Sequence, residues 1–253
     1  MKRLVACFLL TIAAGPNAVP SMASEINEPS PVVLITGANR GLGFELARQY
    51  TEAGWQVIGT ARRPDSATDL RGLGEIVLQL DVTDAHSVAQ LASELDGQPI
   101  DLLINNAGIL PMMDTLPEAD IATVEKVLDV NVLGPMRVTQ ALLPNLLAGD
   151  RKTIVNMTSG LGSLTLNQSG RFYGYRESKA ALNMFSKSLG IELRDQGFIV
   201  VAMNPGWVQT DMGGKDAPLT PEQSVSGIRS VIGDLTVEDT GTLRVYSGER
   251  EPW

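Results

Sequence analysis

From residue 31 onward the chain alternates between two patterns. Short apolar runs rich in β-branched residues, without polar alternation, occur at 32–36, 55–60, 76–81, 100–104, 153–157, 198–203 and 242–246. Such runs suit strands buried on both faces. Between them lie stretches of helical length, at 41–53, 85–95, 118–147 and 173–194. Alternation of strand and helix implies right-handed crossovers and a parallel sheet. The expected fold is a single doubly wound α/β domain over 31–253, with about seven mainly parallel strands and helices on both faces. The stretch 118–147 is long for one helix; Gly134-Pro135 is expected to kink it and Pro144 to disturb it again.

The first 23 residues break this pattern. Lys2 and Arg3 precede an apolar run at 4–14, Pro16 and Pro20 follow it, and Ser21-Met22-Ala23 places small residues at a cleavage-like position. The run has signal-peptide length and is short for a membrane span. The expectation is cleavage after Ala23, a polar leader at 24–30, no membrane span in the mature chain, and export to a periplasmic or secreted location. Without cleavage the protein would be cytoplasmic, and the segment a tail or a misassigned start.

Composition narrows the chemistry. Hydrophobic residues make up 43% of the chain and charged residues 19%, ordinary values for a globular protein. The net charge of −9, with Lys and Arg scattered, argues against a nucleic-acid surface. One His and one Cys cannot build a Cys/His zinc site, and no metal is expected. A Ser-His-Asp hydrolase would have to use His86, which reads as a solvated residue in the first turn of a helix.

Thr36-Gly37-Ala38-Asn39-Arg40-Gly41-Leu42-Gly43 closes the first strand. A glycine-rich turn between strand and helix brings backbone N–H groups to a pyrophosphate at the positive end of the helix dipole. Gly37 would allow the tight turn, Gly41 the approach of the ligand, and Gly43 close packing of helix on sheet. The second strand runs into Arg62-Arg63 with no acid before Asp65. An acid there would bind ribose hydroxyls, whereas a basic residue suits a 2′-phosphate. Arg62, with Arg40 as the other half of a clamp, therefore favours NADP over NAD.

Tyr175 and Lys179 stand four apart in a helical stretch and share one face. A free Tyr, with a pKa of about 10, is a poor base at neutral pH. A nearby ammonium, together with an oxidised nicotinamide, is expected to favour the phenolate and lower that value. Tyr173 is a decoy, because its i+4 partner is the acidic Glu177.

Together these motifs resemble the short-chain dehydrogenase/reductase family, over about 31–253. Four further stretches carry the resemblance: Asp81 in Leu80-Asp81-Val82, Asn105-Asn106-Ala107-Gly108, Asn131 in Asn131-Val132-Leu133-Gly134, and Asn204-Pro205-Gly206 with Thr210. The ending Gly248-Glu249-Arg250-Glu251-Pro252-Trp253 and the Tyr-x-Tyr-Arg-x-Ser-Lys run are similar to C-factor-like proteins and sniffer-type carbonyl reductases. The resemblance implies a Rossmann-type sheet and reversible reduction of an aldehyde or ketone to an alcohol. It implies that Ser159, Tyr175, Lys179 and Asn131 are catalytic. Ser159 would hold the carbonyl oxygen, with Ser163 a weaker candidate and Thr158 turned to the opposite side. Tyr175 would supply the proton, Lys179 would bind the nicotinamide ribose, and Asn131 would hold a water linking Lys179 to solvent. The implied cofactor site comprises Gly37, Asn39, Arg40, Gly41, Leu42, Gly43, Arg62, Asp81, Val82, Asn106, Ala107, Gly108, Tyr175, Lys179, Pro205, Gly206, Val208 and Thr210.

Leu110, Met112, Leu161, Leu164, Phe172, Trp207 and Met212 are candidate pocket residues for a hydrophobic small-molecule carbonyl or alcohol; the alternative is ordinary core. The segment after Thr210 is too short for a large lid. A homo-oligomer is compatible with the sequence. A C-factor-like signalling or binding role without catalysis is the second reading.

Overall fold

The computed structural model describes residues 30–253. The expected cleavage site and all of the leader except Ser30 lie outside them. Among the described residues no helix is long and apolar enough to cross a membrane.

In chain order the elements are β1 (Val32–Ile35), α1 (Gly41–Glu52), β2 (Gln56–Ala61), α2 (Thr68–Gly72), β3 (Ile76–Gln79), α3 (Ala85–Glu94) and β4 (Leu102–Asn105). There follow α4 (Ile121–Leu128), α5 (Gly134–Ala141), α6 (Leu143–Ala148), β5 (Thr153–Met157), α7 (Tyr175–Leu193), β6 (Ile199–Asn204), α8 (Pro221–Asp234) and β7 (Thr242–Val245). All seven strands pair in parallel, in the order β3-β2-β1-β4-β5-β6-β7. The chain reverses its winding between β1 and β4. That switch point opens a crevice at the carboxyl ends of the strands, where ligands bind in folds of this kind.

Period-two alternation divides the apolar side chains between two cores. Val33 and Ile35 of β1 pack with Leu46, Val57, Val155, Val201 and Ile228, on the side of α1 and α8. Val32 and Leu34 pack with Ile58, Leu91, Leu103, Val138, Ile154 and Val200, on the side of α3 and α5. This two-sided burial is why the strands read as unbroken apolar runs.

The stretch 118–147 departs from a single helix more than a kink would require. After α4 comes a π-helical turn, Asp129–Leu133, in which the Gly134 N–H reaches back to the Asp129 carbonyl. Pro135 then sits in the first turn of α5, and Pro144 in the first turn of α6. Proline lacks the N–H that a helix interior needs, so each restarts the helix where that donor is not required. Helix α7 begins at Tyr175, two residues later than expected, leaving Tyr173 outside it. His86 is an exposed residue in the first turn of α3, where Asp84 accepts its backbone N–H at 2.9 Å.

Candidate active site

The loops that follow β1, β2, β4, β5 and β6 meet over the switch point. In the first, Gly37 and Gly41 have φ of +65° and +56°, values that a side chain with a Cβ rarely adopts. At Gly43 a Cβ would lie 2.2 Å from the Gly37 carbonyl oxygen and 2.6 Å from Asn106 Nδ2. Gly43 is therefore needed for the loop to close on itself as well as for packing on the sheet. Asn106 braces this turn: its Nδ2 donates to the Thr36 and Gly37 carbonyls at 2.9 and 3.1 Å. Thr36 Oγ1 accepts the N–H groups of Asn106 and Ala107 at 2.9 and 3.0 Å. Thr36 holds β1 to the Asn-Asn-Ala-Gly loop, a role that sequence spacing did not reveal.

Arg62 and Arg63 are exposed at the end of β2. Asp81 is held below the usual carboxylate range by hydrogen bonds from the Thr83 hydroxyl and backbone, with a further contribution from the Arg62 charge. Val82 is buried against Gly134. Arg40 has an acidic partner on a neighbouring loop. Its Nη1 pairs with Asp211 at 2.8 Å, across from the glycine loop to the loop after β6. Thr210 lies beside Gly41 there, and Gly206 turns with φ +77°. Val208 forms a parallel bridge with Leu219, which ties the two ends of 208–219 together.

Helix α7 brings Tyr175 and Lys179 to the crevice, both buried, with Lys179 Nζ 5.5 Å from the centre of the tyrosine ring. Ser159, two residues past β5, neighbours the Tyr175 hydroxyl, and its Oγ accepts the Leu161 N–H at 3.1 Å. Thr158 points away and donates to Asn183 Oδ1 at 2.6 Å, as strand alternation requires. Ser163 is committed elsewhere: it is buried and donates to the Pro252 carbonyl at 2.7 Å. Asn131 is fully buried in the π-helical turn. Its Oδ1 accepts the Ile109 N–H at 2.9 Å, and its Nδ2 donates to the Ile109 carbonyl and to Ser178 Oγ at 3.0 Å each. Both amide hydrogens are thus used within the protein. The side chain braces the loop after β4 and places Gly108 beside Lys179.

Burial dominates the electrostatics of the protein by itself. Burial pushes the Tyr175 phenol up to about 12, and the Ser159 hydrogen bond only partly offsets it. Lys179 is pushed down to about 8, also by burial, and its ammonium donates to the Met157 carbonyl at 2.8 Å. In a dry site desolvation of each charged form outweighs their mutual attraction across this distance. Without ligand the pair therefore holds a phenol, a proton donor, and not a phenolate.

None of the seven candidate pocket residues is core. Met112, Leu164, Trp207 and Met212 are exposed; Leu110, Leu161 and Phe172 are half-buried. They rim the site on the loops after β4, β5 and β6. Arg171 and Phe172 hold positive φ of 62° and 56°, a strained conformation that needs support. Arg176 supplies it, donating to the carbonyls of Gly170, Arg171 and Leu161 at 2.8, 3.1 and 3.1 Å.

Known proteins share this arrangement. The description "short chain dehydrogenase" matches residues 31–218. The C-signal of Myxococcus xanthus is 46% identical over 155 residues, covering 61% of this chain and 93% of that protein. The carbonyl reductase Sniffer of D. melanogaster superposes with a TM-score of 0.85 at 32% identity, covering 89% of this chain and 100% of the other. The NADPH-bound carbonyl reductase from chicken fatty liver gives a TM-score of 0.83 at 32% identity, covering 88% and 99%. With the glycine loop, the Asn-Asn-Ala-Gly turn and the Tyr-x-x-x-Lys helix on one parallel sheet, the chain belongs to the short-chain dehydrogenase/reductase family.

Proposed function

We propose that the protein is an NADP-dependent reductase of aldehydes or ketones, with Tyr175 as the proton donor. The observation that carries this reading is the meeting of Ser159, Tyr175 and Lys179 at the switch point, with Tyr175 and Lys179 both buried and the Lys179 ammonium 5.5 Å from the tyrosine ring. The residues present fit the cofactor. The Gly37 and Gly41 turn exposes backbone N–H groups at the start of α1, Asp81 retains an acceptor for the adenine end, and Arg62 is exposed for a 2′-phosphate. When bound, NADPH supplies a hydride to the carbonyl carbon. Ser159 donates a hydrogen bond to the carbonyl oxygen, and the Tyr175 hydroxyl gives that oxygen its proton as negative charge develops there. Lys179 would hold the nicotinamide ribose, and its charge would favour the phenolate that the transfer leaves behind, against the cost of burial. Asn131 acts one step back, through Ile109, keeping Gly108 and the floor of the site in place. The apolar rim suits a hydrophobic carbonyl. The NADPH-bound chicken enzyme and the carbonyl reductase Sniffer support the cofactor and the reaction class.

Tyr175→Phe tests this reading. It keeps the ring and removes the transferable proton, so turnover of a carbonyl panel should fall by about three orders of magnitude or more, a proton-transfer contribution of usual size. NADPH affinity should stay within a few-fold, and Tyr173→Phe should be mild. Loss of activity in Tyr173→Phe instead would refute the assignment. The similarity to C-signal favours a signalling or binding role as the second reading; failure of the wild-type protein to oxidise NADPH with any carbonyl would favour it.

A further inference from the structure

The segment Gly248–Trp253 has no part in the proposed chemistry, yet it runs between two loops that do. After β7 it turns back, with the Val245 N–H on the Glu249 carbonyl and the Glu251 N–H on the Leu243 carbonyl at 2.9 and 3.0 Å. Pro252 and Trp253 then fasten to the loop that carries Ser159. The Pro252 carbonyl accepts from Ser163 Oγ at 2.7 Å, and the Trp253 backbone oxygen accepts from the Thr165 N–H at 3.0 Å and Thr165 Oγ1 at 2.7 Å. The Trp253 ring lies under Lys187 of α7, 5.8 Å from the ammonium.

Glu251 reaches the other loop. Its Oε2 accepts from Asn204 Nδ2 at 2.9 Å, while Asn204 Oδ1 accepts the Gly206 N–H at 3.0 Å. A carboxylate can only accept, so it fixes which end of the Asn204 amide faces it. The carbonyl end is thereby aimed at Gly206, in the left-handed turn of the Pro205-Gly206 segment. Gly160, next to Ser159, closes the arrangement. A Cβ there would lie 3.1 Å from Asn204 Nδ2 and 3.4 Å from Glu251 Oε1. One carboxylate thus lies beside the residue after the serine, where any side chain would press on it, and reaches, through one amide, the turn on the opposite wall of the crevice.

We propose that Glu251 is a positioning residue: through Asn204 and Gly160 it sets the Pro205-Gly206 turn against the Ser159 loop, so that a carbonyl held by Ser159 and Tyr175 is in register with the hydride donor. This rests on the reductase reading. An error of one ångström in that register is enough to slow a transfer by orders of magnitude without weakening binding. The effect belongs in kcat, since Glu251 touches neither the pyrophosphate site nor the apolar rim.

The test compares Glu251→Ala with Glu251→Gln in the full-length protein. Two measurements are made: hydrogen exchange at the backbone amides of 159–163 and 204–206 without ligand, and steady-state carbonyl reduction by NADPH. Glu251→Ala should speed exchange in both loops and lower kcat by about tenfold, with KM for carbonyl and NADPH within about threefold. Glu251→Gln keeps an acceptor for Asn204 and should recover at least half of the lost rate. Unchanged exchange in either loop overturns the proposal, as does faster exchange with unaltered kcat. Equal loss of rate in both variants also overturns it, because a general packing defect would act that way. If the wild-type protein reduces no carbonyl, the reductase reading fails, and the exchange data alone then decide whether Glu251 couples the two loops.

Discussion

In the proposed reductase, cofactor choice rests on single charged side chains. Arg62 is exposed and aimed from the end of β2, whereas Arg40 already pairs with Asp211. Both partners of that ion pair are largely exposed, at 71% and 81%, where such pairs contribute little and a phosphate can displace the carboxylate. Arg62→Ala is expected to weaken NADPH binding by about one to two decades, the cost of a charge-assisted hydrogen bond of roughly 1.5 to 3 kcal/mol, and to leave NADH nearly unchanged. Arg40→Ala should act in the same direction but less, since Asp211 competes for the same guanidinium. Titration of both cofactors against both variants checks this; equal losses for NADPH and NADH would sink the phosphate clamp.

At the scale of elements, the glycine loop is a device for closeness. Gly43 opens α1 against the Gly37 carbonyl, at a separation where a methyl group cannot fit without moving backbone. Overpacking of this kind typically costs about 1 to 3 kcal/mol. Gly43→Ala should therefore lower the urea midpoint and, because the displaced Gly37 carbonyl belongs to the phosphate turn, weaken NADPH binding at least tenfold. A variant with wild-type stability and affinity would show that the loop yields at no cost. The π-helical turn at Asp129–Leu133 is a second such device: inserting an extra residue into the helix lets Asn131 face Ile109 instead of continuing along the helix surface.

At the scale of the whole molecule, the site lowers stability. Burial holds Lys179 near 8 instead of 10.5. Between those values the folded chain binds fewer protons than the unfolded one, so stability rises with pH across the window. Below about 8 the full penalty applies, roughly 3 to 4 kcal/mol for a shift of this size. Lys179→Met should consequently be inactive yet more stable than wild type at pH 7, and its advantage should shrink toward pH 10. Chemical unfolding at both pH values measures it. An advantage independent of pH would mean that packing, and not the buried charge, is responsible.

Seven strands, their parallel pairing and the order of the motifs were legible in the sequence because each depends on local information. Two-sided burial imposes unbroken apolar runs, positive φ demands glycine in the turn after β1, and helical spacing fixes Tyr175 and Lys179 on one face. Strand ends were less legible: β4 runs one residue past the expected 104, because Asn105 joins a buried polar network with Asn156 and Thr139 instead of ending the run. Tertiary structure decided what depends on groups distant in the chain. Pro252 takes the Ser163 hydroxyl, and Ile109 and Ser178 take the Asn131 side-chain amide. Burial pushes the Tyr175 phenol up, and the cost of desolvation depends on how completely the fold shuts out water, which no spacing of residues records. Sequence determines which chemical groups can be brought together; only the packed fold determines which of their hydrogen bonds are already spent and how dry the remaining ones are.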